Sequence, residues 1–325
     1  MRAVVVEKYG SIDNAFLKEV PLPQVSPDQV RVRIQAASVG FVDDLKVQGL
    51  YQTKDPLPFT HASEFAGVVD AAGTDVGGFE SGTPVIGIAR SGGLAEYFVV
   101  PAAALEIIPK GVAPEVAASL RVNYLTSLYA LSERGLLQKG ETLLVLGAAG
   151  SVGVAAVQIG KLLGARVIAA ASTVEKRQFA TRFGADATVD YTQPDWRDAI
   201  KTLTDGRGTD VIFDPIGGDI GLQAFRSIAW RGRHLVIGFA AGSIPALPFN
   251  LPLLKGGALL GVDMAQIGRR EPEVQAHLIS QLFTWLREKQ LVPVVGQISA
   301  FEDFRNAFKT MTTRAAPGKM VVRIG

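Results

Sequence analysis

The chain has 325 residues, 48% of them hydrophobic and 35 of them glycine, a length and make-up that suit an α/β protein of two globular domains. Its 33 Lys plus Arg against 31 Asp plus Glu leave a net charge of +2, which gives no basis for binding nucleic acid or a membrane surface. There are no cysteines, so disulfides, thiolate zinc sites and a cysteine nucleophile are excluded.

The opening MRAVVVEKYG has too short an apolar run to read as a signal peptide. No stretch approaches the roughly 18 apolar residues of a spanning helix, and a soluble cytoplasmic protein is the expectation.

Residues 1 to about 121 read as β-rich with many turns. Arg2 to Val6 is strand-like, and Gln29 to Ala36 alternates Val30, Val32 and Ile34 with Arg31, Arg33 and Gln35, the period of a half-buried strand. Further short strands are expected at Phe65 to Val69, Pro84 to Ile88, Glu96 to Val100 and Leu105 to Ile108, with Gly and Pro between them. Such a series suggests a barrel or sandwich.

Near Arg121 the pattern changes to alternating strands and helices. Strands are expected at 142–147, Arg166 to Ala171, Ala187 to Val189, Asp210 to Phe213, His234 to Ile237 and Leu259 to Val262. Helices are expected at 151–163, 173–183, 195–203 and 219–229, the order of a doubly wound parallel sheet. The tail reads as an amphipathic helix from about Glu273 to Glu288, a short helix near Phe301 to Met311 and a last strand from Lys319 to Ile324.

Within the second half, the stretch TLLVLGAAGSVGVAAVQIGKLLG carries the chemistry. An apolar strand enters a turn of the form A-x-G-x-x-G, with Ala148 in the first position and Gly150 and Gly153 after it. Gly150 lets the backbone approach a pyrophosphate, Gly153 lets the helix pack on the strand, and the free N–H groups of the first helical turn face the anion.

The next strand should meet the adenosine ribose, where a carboxylate marks NAD. Here it ends in Ser172 and is followed by Lys176 and Arg177, with no acid at the tip, so the residues favour NADPH over NADH. A structural reading stands beside this one: Ser172 and Glu175 have the spacing of a capping box, and the two cations that of a solvated helix face. Tyr191, after the third strand, is placed for the adenine side or as a half-buried surface aromatic.

In order along the chain, VRIQAASV, DDLKVQGLYQTKDPLPFTHASEFAGVV, VNYLTSLYAL, LGAAGSVGVAAVQIGKLLGARVI, EKRQFATRFGADATVDY, DVIFDPIGGD, LVIGFAAG and GKMVV resemble the medium-chain dehydrogenase/reductase superfamily, in its zinc-free NADPH:quinone oxidoreductase branch. The resemblance implies a GroES-like β-barrel catalytic domain from residues 1–121 and 265–325, and a Rossmann-type NADPH-binding domain from 122–264. It implies an enzyme that transfers hydride, without metal, to a quinone or to the activated C=C bond of an enal, enone or enoyl thioester. It also implies a homodimer joined through the edge strand Leu259 to Val262.

Residue by residue, it assigns Thr126 to the nicotinamide or its phosphates and Gly150, Ser151, Val152 and Gly153 to the pyrophosphate. Ser172, Lys176 and Tyr191 fall to the 2′-phosphate end, and Ile216, Gly217, Phe239 and Ala241 to the ribose and nicotinamide. Gly40, Phe41, Tyr51 and His61 fall in the substrate cleft, with Tyr51 the expected substrate-side hydroxyl because a tyrosine keeps its proton at neutral pH. Asp43 is expected to cap the helix that Gly49 ends, and Glu64 to be structural.

Zinc-dependent relatives carry a cysteine where this chain has Gly40 and a G-H-E motif where it has Ala62, Ser63 and Glu64, so no metal site is expected from its three histidines. Gly40, the His61–Ala62 pair and Arg121 also depart from the branch's usual Asn, Pro-Gly and Pro, and substrate identity stays open at this point. An NADPH-binding sensor or structural protein with little turnover is the alternative.

Overall fold

The computed structural model describes residues 1–325. Strands β1 (Arg2–Val6), β2 (Ala15–Glu19), β3 (Gln29–Val39), β4 (Phe59–Thr60), β5 (Glu64–Ala72), β6 (Pro84–Ile88), β7 (Tyr97–Pro101) and β8 (Leu105–Ile107) occupy the first third, with helices α1 (Phe41–Gln48) and α2 (Pro114–Ala117). Then α3 (Arg121–Leu128), β9 (Thr142–Leu146), α4 (Ser151–Leu162), β10 (Arg166–Ala170), α5 (Val174–Arg182), β11 (Ala187–Val189), α6 (Trp196–Leu203), β12 (Thr209–Asp214) and α7 (Gly218–Phe225) alternate. After them come β13 (Ile228–Val236), α8 (Asn250–Lys255), β14 (Ala258–Gly261), α9 (Met264–Arg270), α10 (Pro272–Arg287), β15 (Val295–Ala300), α11 (Phe304–Thr312) and β16 (Lys319–Arg323).

Two compact units result, Met1–Val122 with Pro293–Gly325, and Asn123–Val292. Residues 265–292, which the resemblance assigns to the GroES-like domain, cluster with the second unit. Helices α9 and α10 stay with the parallel sheet through side-chain ties that local sequence patterns do not show. Tyr129 Oη donates to Glu271 at 3.2 Å, and Gln158 ties to both Tyr124 Oη (3.1 Å) and the Val292 amide (3.3 Å).

In the first unit a seven-stranded sheet runs β15-β16-β3-β5-β6-β8, with β7 also paired to β3, and a three-stranded sheet runs β2-β1-β4. The alternation read in β3 is observed: Val30, Val32 and Ile34 join the core with Phe65, Val85, Phe304 and Phe308, while Arg31 turns outward to Asp70 at 2.7 Å.

The second unit is a six-stranded sheet ordered β11-β10-β9-β12-β13-β14, every pair parallel. β9 is buried at all five positions, as a central strand covered by helices on both faces must be. β13 begins at Ile228, so the end of the helix expected at 219–229 is strand. Gly232 follows Arg231, whose φ of 63° lets the strand bend there. The edge strand β14 runs from 258 to 261, one residue earlier than expected. No helix is long and apolar enough to cross a membrane.

Candidate functional site

The glycine turn joins β9 to α4 at the carboxyl end of the sheet, next to where strand order reverses between β9, β10 and β12. Gly147 has φ +60°, and the Gly150 amide is bonded to Gly147 O at 2.9 Å, which closes the turn. A Cβ on Gly153 would stand 2.3 Å from Gly147 O, so only glycine lets α4 start this close to the strand. The first intrahelical bond is Val154 N to Gly150 O at 2.9 Å, leaving the amides of Ser151, Val152 and Gly153 without helical partners at the positive end of a 12-residue helix. That cradle suits a pyrophosphate.

Four expected ribose and nicotinamide residues gather beside it. Ile216 reaches back to Gly147, where a Cβ would meet Ile216 Cδ1 at 2.8 Å. Gly217, at φ 66° and ψ −150°, lies against Phe239, whose Cδ1 would be 2.7 Å from a Cβ there. The Ala241 amide donates to Ile216 O at 2.9 Å. Thr126 is buried on α3, and its neighbour Ser127 donates to Val152 O at 3.0 Å, so α3 is fixed against the first turn of α4.

Sequence reasoning missed the device that shapes this loop. Asp214 ends β12, and its Oδ1 accepts the amides of Ile216 and Gly217, both at 2.8 Å. Its Oδ2 faces His234 Nε2 at 2.9 Å, and both side chains are buried. A Cβ on Gly221 would stand 2.3 Å from that oxygen, so α7 closes over the pair. The signal was present as D-x-x-G after an apolar strand, but the partner lies 20 residues on.

At the tip of β10 the capping expectation is corrected. The N-cap of α5 is Thr173, whose hydroxyl accepts the Lys176 amide at 3.3 Å, and not Ser172 paired with Glu175. The Ser172 side chain is thereby left out of the cap. Arg177 is held by Asp190 at 2.8 Å and by Ala171 O at 3.1 Å, so it is no solvated cation. Lys176 Nζ pairs with no carboxylate, and Tyr191 is half-buried against the Trp196 and Ile216 cluster.

The expected substrate residues belong to the first unit. Gly40 is the N-cap of α1, and Asp43, three residues into the helix, reaches back to its amide at 2.8 Å. Asp43 is thus a cap from the third helical position, not the N-cap itself, because glycine offers no side chain to reach forward; Gly49 ends the helix at φ 72°. Phe41 is 43% exposed, and Tyr51 has Lys46 Nζ 5.8 Å from its ring centroid.

His61 differs from expectation: it is fully buried between Phe59 and Phe308 and lines no open surface. Both ring nitrogens lack hydrogen-bond partners, and burial pushes its imidazole down to about 4. Glu64 is buried, accepts from Ser38 Oγ and the Val122 amide, both at 3.0 Å, and is raised by that burial above the usual carboxylate range. Arg121 meets Glu106 at 2.6 Å, and burial pushes Glu106 up to about 7 despite the guanidinium. No three His, Cys, Asp or Glu side chains stand together as a metal would require.

A parallel sheet with a pyrophosphate cradle at its carboxyl end defines a dinucleotide-binding α/β protein. Residues 26–110 match the alcohol dehydrogenase GroES-like domain and 151–282 the zinc-binding dehydrogenase domain. The chain is 37% identical over 309 residues to quinone oxidoreductase-like protein 2 of Bos taurus, covering 95% of this chain and 88% of that one. The quinone oxidoreductase of Thermus thermophilus, solved alone and with NADPH, is 31% identical with a TM-score of 0.86 over 100% of both chains. A structure described as an NAD-dependent alcohol dehydrogenase is 32% identical with a TM-score of 0.92, again over 100% of both. The chain belongs to the medium-chain dehydrogenase/reductase superfamily, in its zinc-free quinone oxidoreductase branch, and it has the GroES-like and Rossmann-type architecture of that family.

Proposed function

We propose that this protein is an NADPH-dependent reductase that transfers hydride, without a metal, to a quinone or to the activated C=C bond of an enal, enone or enoyl thioester. The observation that carries the cofactor choice is the tip of β10: no acid occupies it, and Lys176 stands there with its ammonium unpaired. An anionic 2′-phosphate gains a charge-assisted bond from such a group, whereas a 2′-hydroxyl gains little. The Thermus relative's complex with NADPH supports the reading.

The cradle amides of Ser151, Val152 and Gly153 hold the pyrophosphate, with Gly150 leaving the approach open. Ser172, Lys176 and Tyr191 hold the adenosine end, and Thr126, Ile216, Gly217, Phe239 and Ala241 border the ribose and nicotinamide. When bound, NADPH supplies a hydride. Charge that then develops on the substrate oxygen is stabilised by hydrogen-bond donors, and a proton follows from water. Gly40, Phe41 and Tyr51 border the substrate.

Equilibrium titration with NADPH and NADH, followed by turnover with quinones, enals, enones and enoyl thioesters, tests the reading. A preference for NADPH with reduction of one of these classes is expected. NADPH binding without turnover of any of them would favour a sensor.

A homodimer is part of the proposal. The edge strand β14 exposes Leu259 (49%), and α8 and β13 before it expose Leu253 (78%), Leu254 (68%) and Trp230 (71%), apolar side chains that a second copy would cover.

A further inference from the structure

Lys319 opens β16 and is 4% exposed. Its Nζ stands 3.7 Å from Glu64 Oε2, an ion pair too long to be a hydrogen bond. The carboxylate is already engaged, with Oε2 accepting from Ser38 and Oε1 from the Val122 amide. Glu64 therefore holds the ammonium by charge and leaves its three N–H donors unspent.

The same Nζ lies 3.0 Å from the point where a Cβ on residue 40 would be, and only Asp43 Oδ2, at 3.7 Å, also comes within 4 Å of that point. The ammonium thus fills the side-chain space that Gly40 lacks, at the half-buried start of α1, next to the exposed Phe41 (43%) and Val42 (39%). A buried ammonium with a single long ion pair is a costly arrangement for a merely structural cation.

We propose that Lys319 is a catalytic residue whose Nζ donates a hydrogen bond to the carbonyl or quinone oxygen of the substrate. The inference rests on the reduction proposed above. Hydride adds to the substrate with its electron pair, the displaced π pair moves to oxygen, and Lys319 keeps its proton while its N–H stabilises that oxyanion. A proton from water completes the product, at the α-carbon of the alkene or on the quinol oxygen. Gly40 is then a specificity residue, because any side chain there would displace the ammonium.

The test compares wild type with Lys319→Met, Lys319→Arg and the double variant Lys319→Met/Glu64→Gln, which removes the charge that the single change would leave buried alone. Two measurements are made: kcat/KM with an enone and a quinone, and equilibrium binding of 4-nitrophenolate, an oxyanion, read from its absorbance. The expected result is a loss on the order of a hundredfold in kcat/KM for the folded double variant, carried mainly by kcat. Its NADPH affinity should be unchanged, phenolate binding should weaken at least tenfold, and Arg should restore part of both. Phenolate binding that is absent from wild type, or equal in wild type and double variant, overturns the proposal. So does kcat/KM in the double variant within threefold of wild type. A wild-type protein that binds phenolate through Lys319 but not NADPH would overturn the reductase reading alone.

Discussion

Asp214 and His234 meet at 2.9 Å in the core of the second unit, and the remaining Asp214 oxygen holds the amides of Ile216 and Gly217. One buried carboxylate thereby couples β12, β13 and the loop assigned to the nicotinamide. Asp214→Ala leaves an imidazole and two amides without partners, at a cost of about 3 kcal/mol. Thermal unfolding should shift down by several degrees and NADPH affinity should fall. Asp214→Asn, which keeps an acceptor for the amides, should show a smaller loss in both.

Gly153→Ala tests the cradle. Its new methyl would meet Gly147 O at 2.3 Å and Ala148 Cα at 2.9 Å, both backbone atoms, so the start of α4 must move. A destabilisation of about 1–3 kcal/mol is expected from such overpacking. Calorimetry should also show NADPH and NADH weakened together, since both carry the pyrophosphate.

Lys176→Ala separates the two cofactors. Loss of one charge-assisted bond should weaken NADPH by roughly 1 to 3 kcal/mol and leave NADH nearly unchanged. Arg177→Ala acts differently, because Arg177 ties Asp190 and Ala171 O together and its loss should lower stability first. Equal effects of Lys176→Ala on both cofactors would remove the 2′-phosphate assignment.

Fully buried His61 and half-buried Glu106 give the first unit opposite pH dependences. The His61 imidazole is held down to about 4, below its usual 6.5, so its contribution to stability is present above about 6.5 and is lost as pH falls towards 4. Glu106 is held up to about 7 from 4.5, so its contribution is present below about 4.5 and is lost as pH rises through 7. In denaturant titrations His61→Phe should flatten the acid side of the stability profile, and Glu106→Gln should flatten the slope between 4.5 and 7.

The parallel sheet, the glycine cradle and the change of character near Arg121 were legible because each is a local pattern: an apolar run, a turn, a shift from period two to alternating elements. The cap of α5 falls one residue later than the sequence pattern suggests, because Ser172 and Thr173 are both good N-caps and only the backbone decides between them. What stayed hidden depends on partners distant in sequence. Arg121 finds Glu106, Asp214 finds His234, and Lys319 finds Glu64 across 255 residues, none of which a local spacing announces. The burial of His61 is of the same kind, since Phe308, near the other end of the chain, packs against its ring.

On the function proposed above, this chain oxidises NADPH with an activated alkene or quinone and needs no metal to do so. Steady-state NADPH consumption in the presence of a strong chelator, with a panel of quinones, enals, enones and enoyl thioesters, tests it most directly. Chelator-insensitive turnover of at least one class is expected, with kcat/KM for NADPH on the order of tenfold or more above that for NADH. Activity that disappears with the chelator and returns with stoichiometric zinc, or a clear preference for NADH, would contradict it.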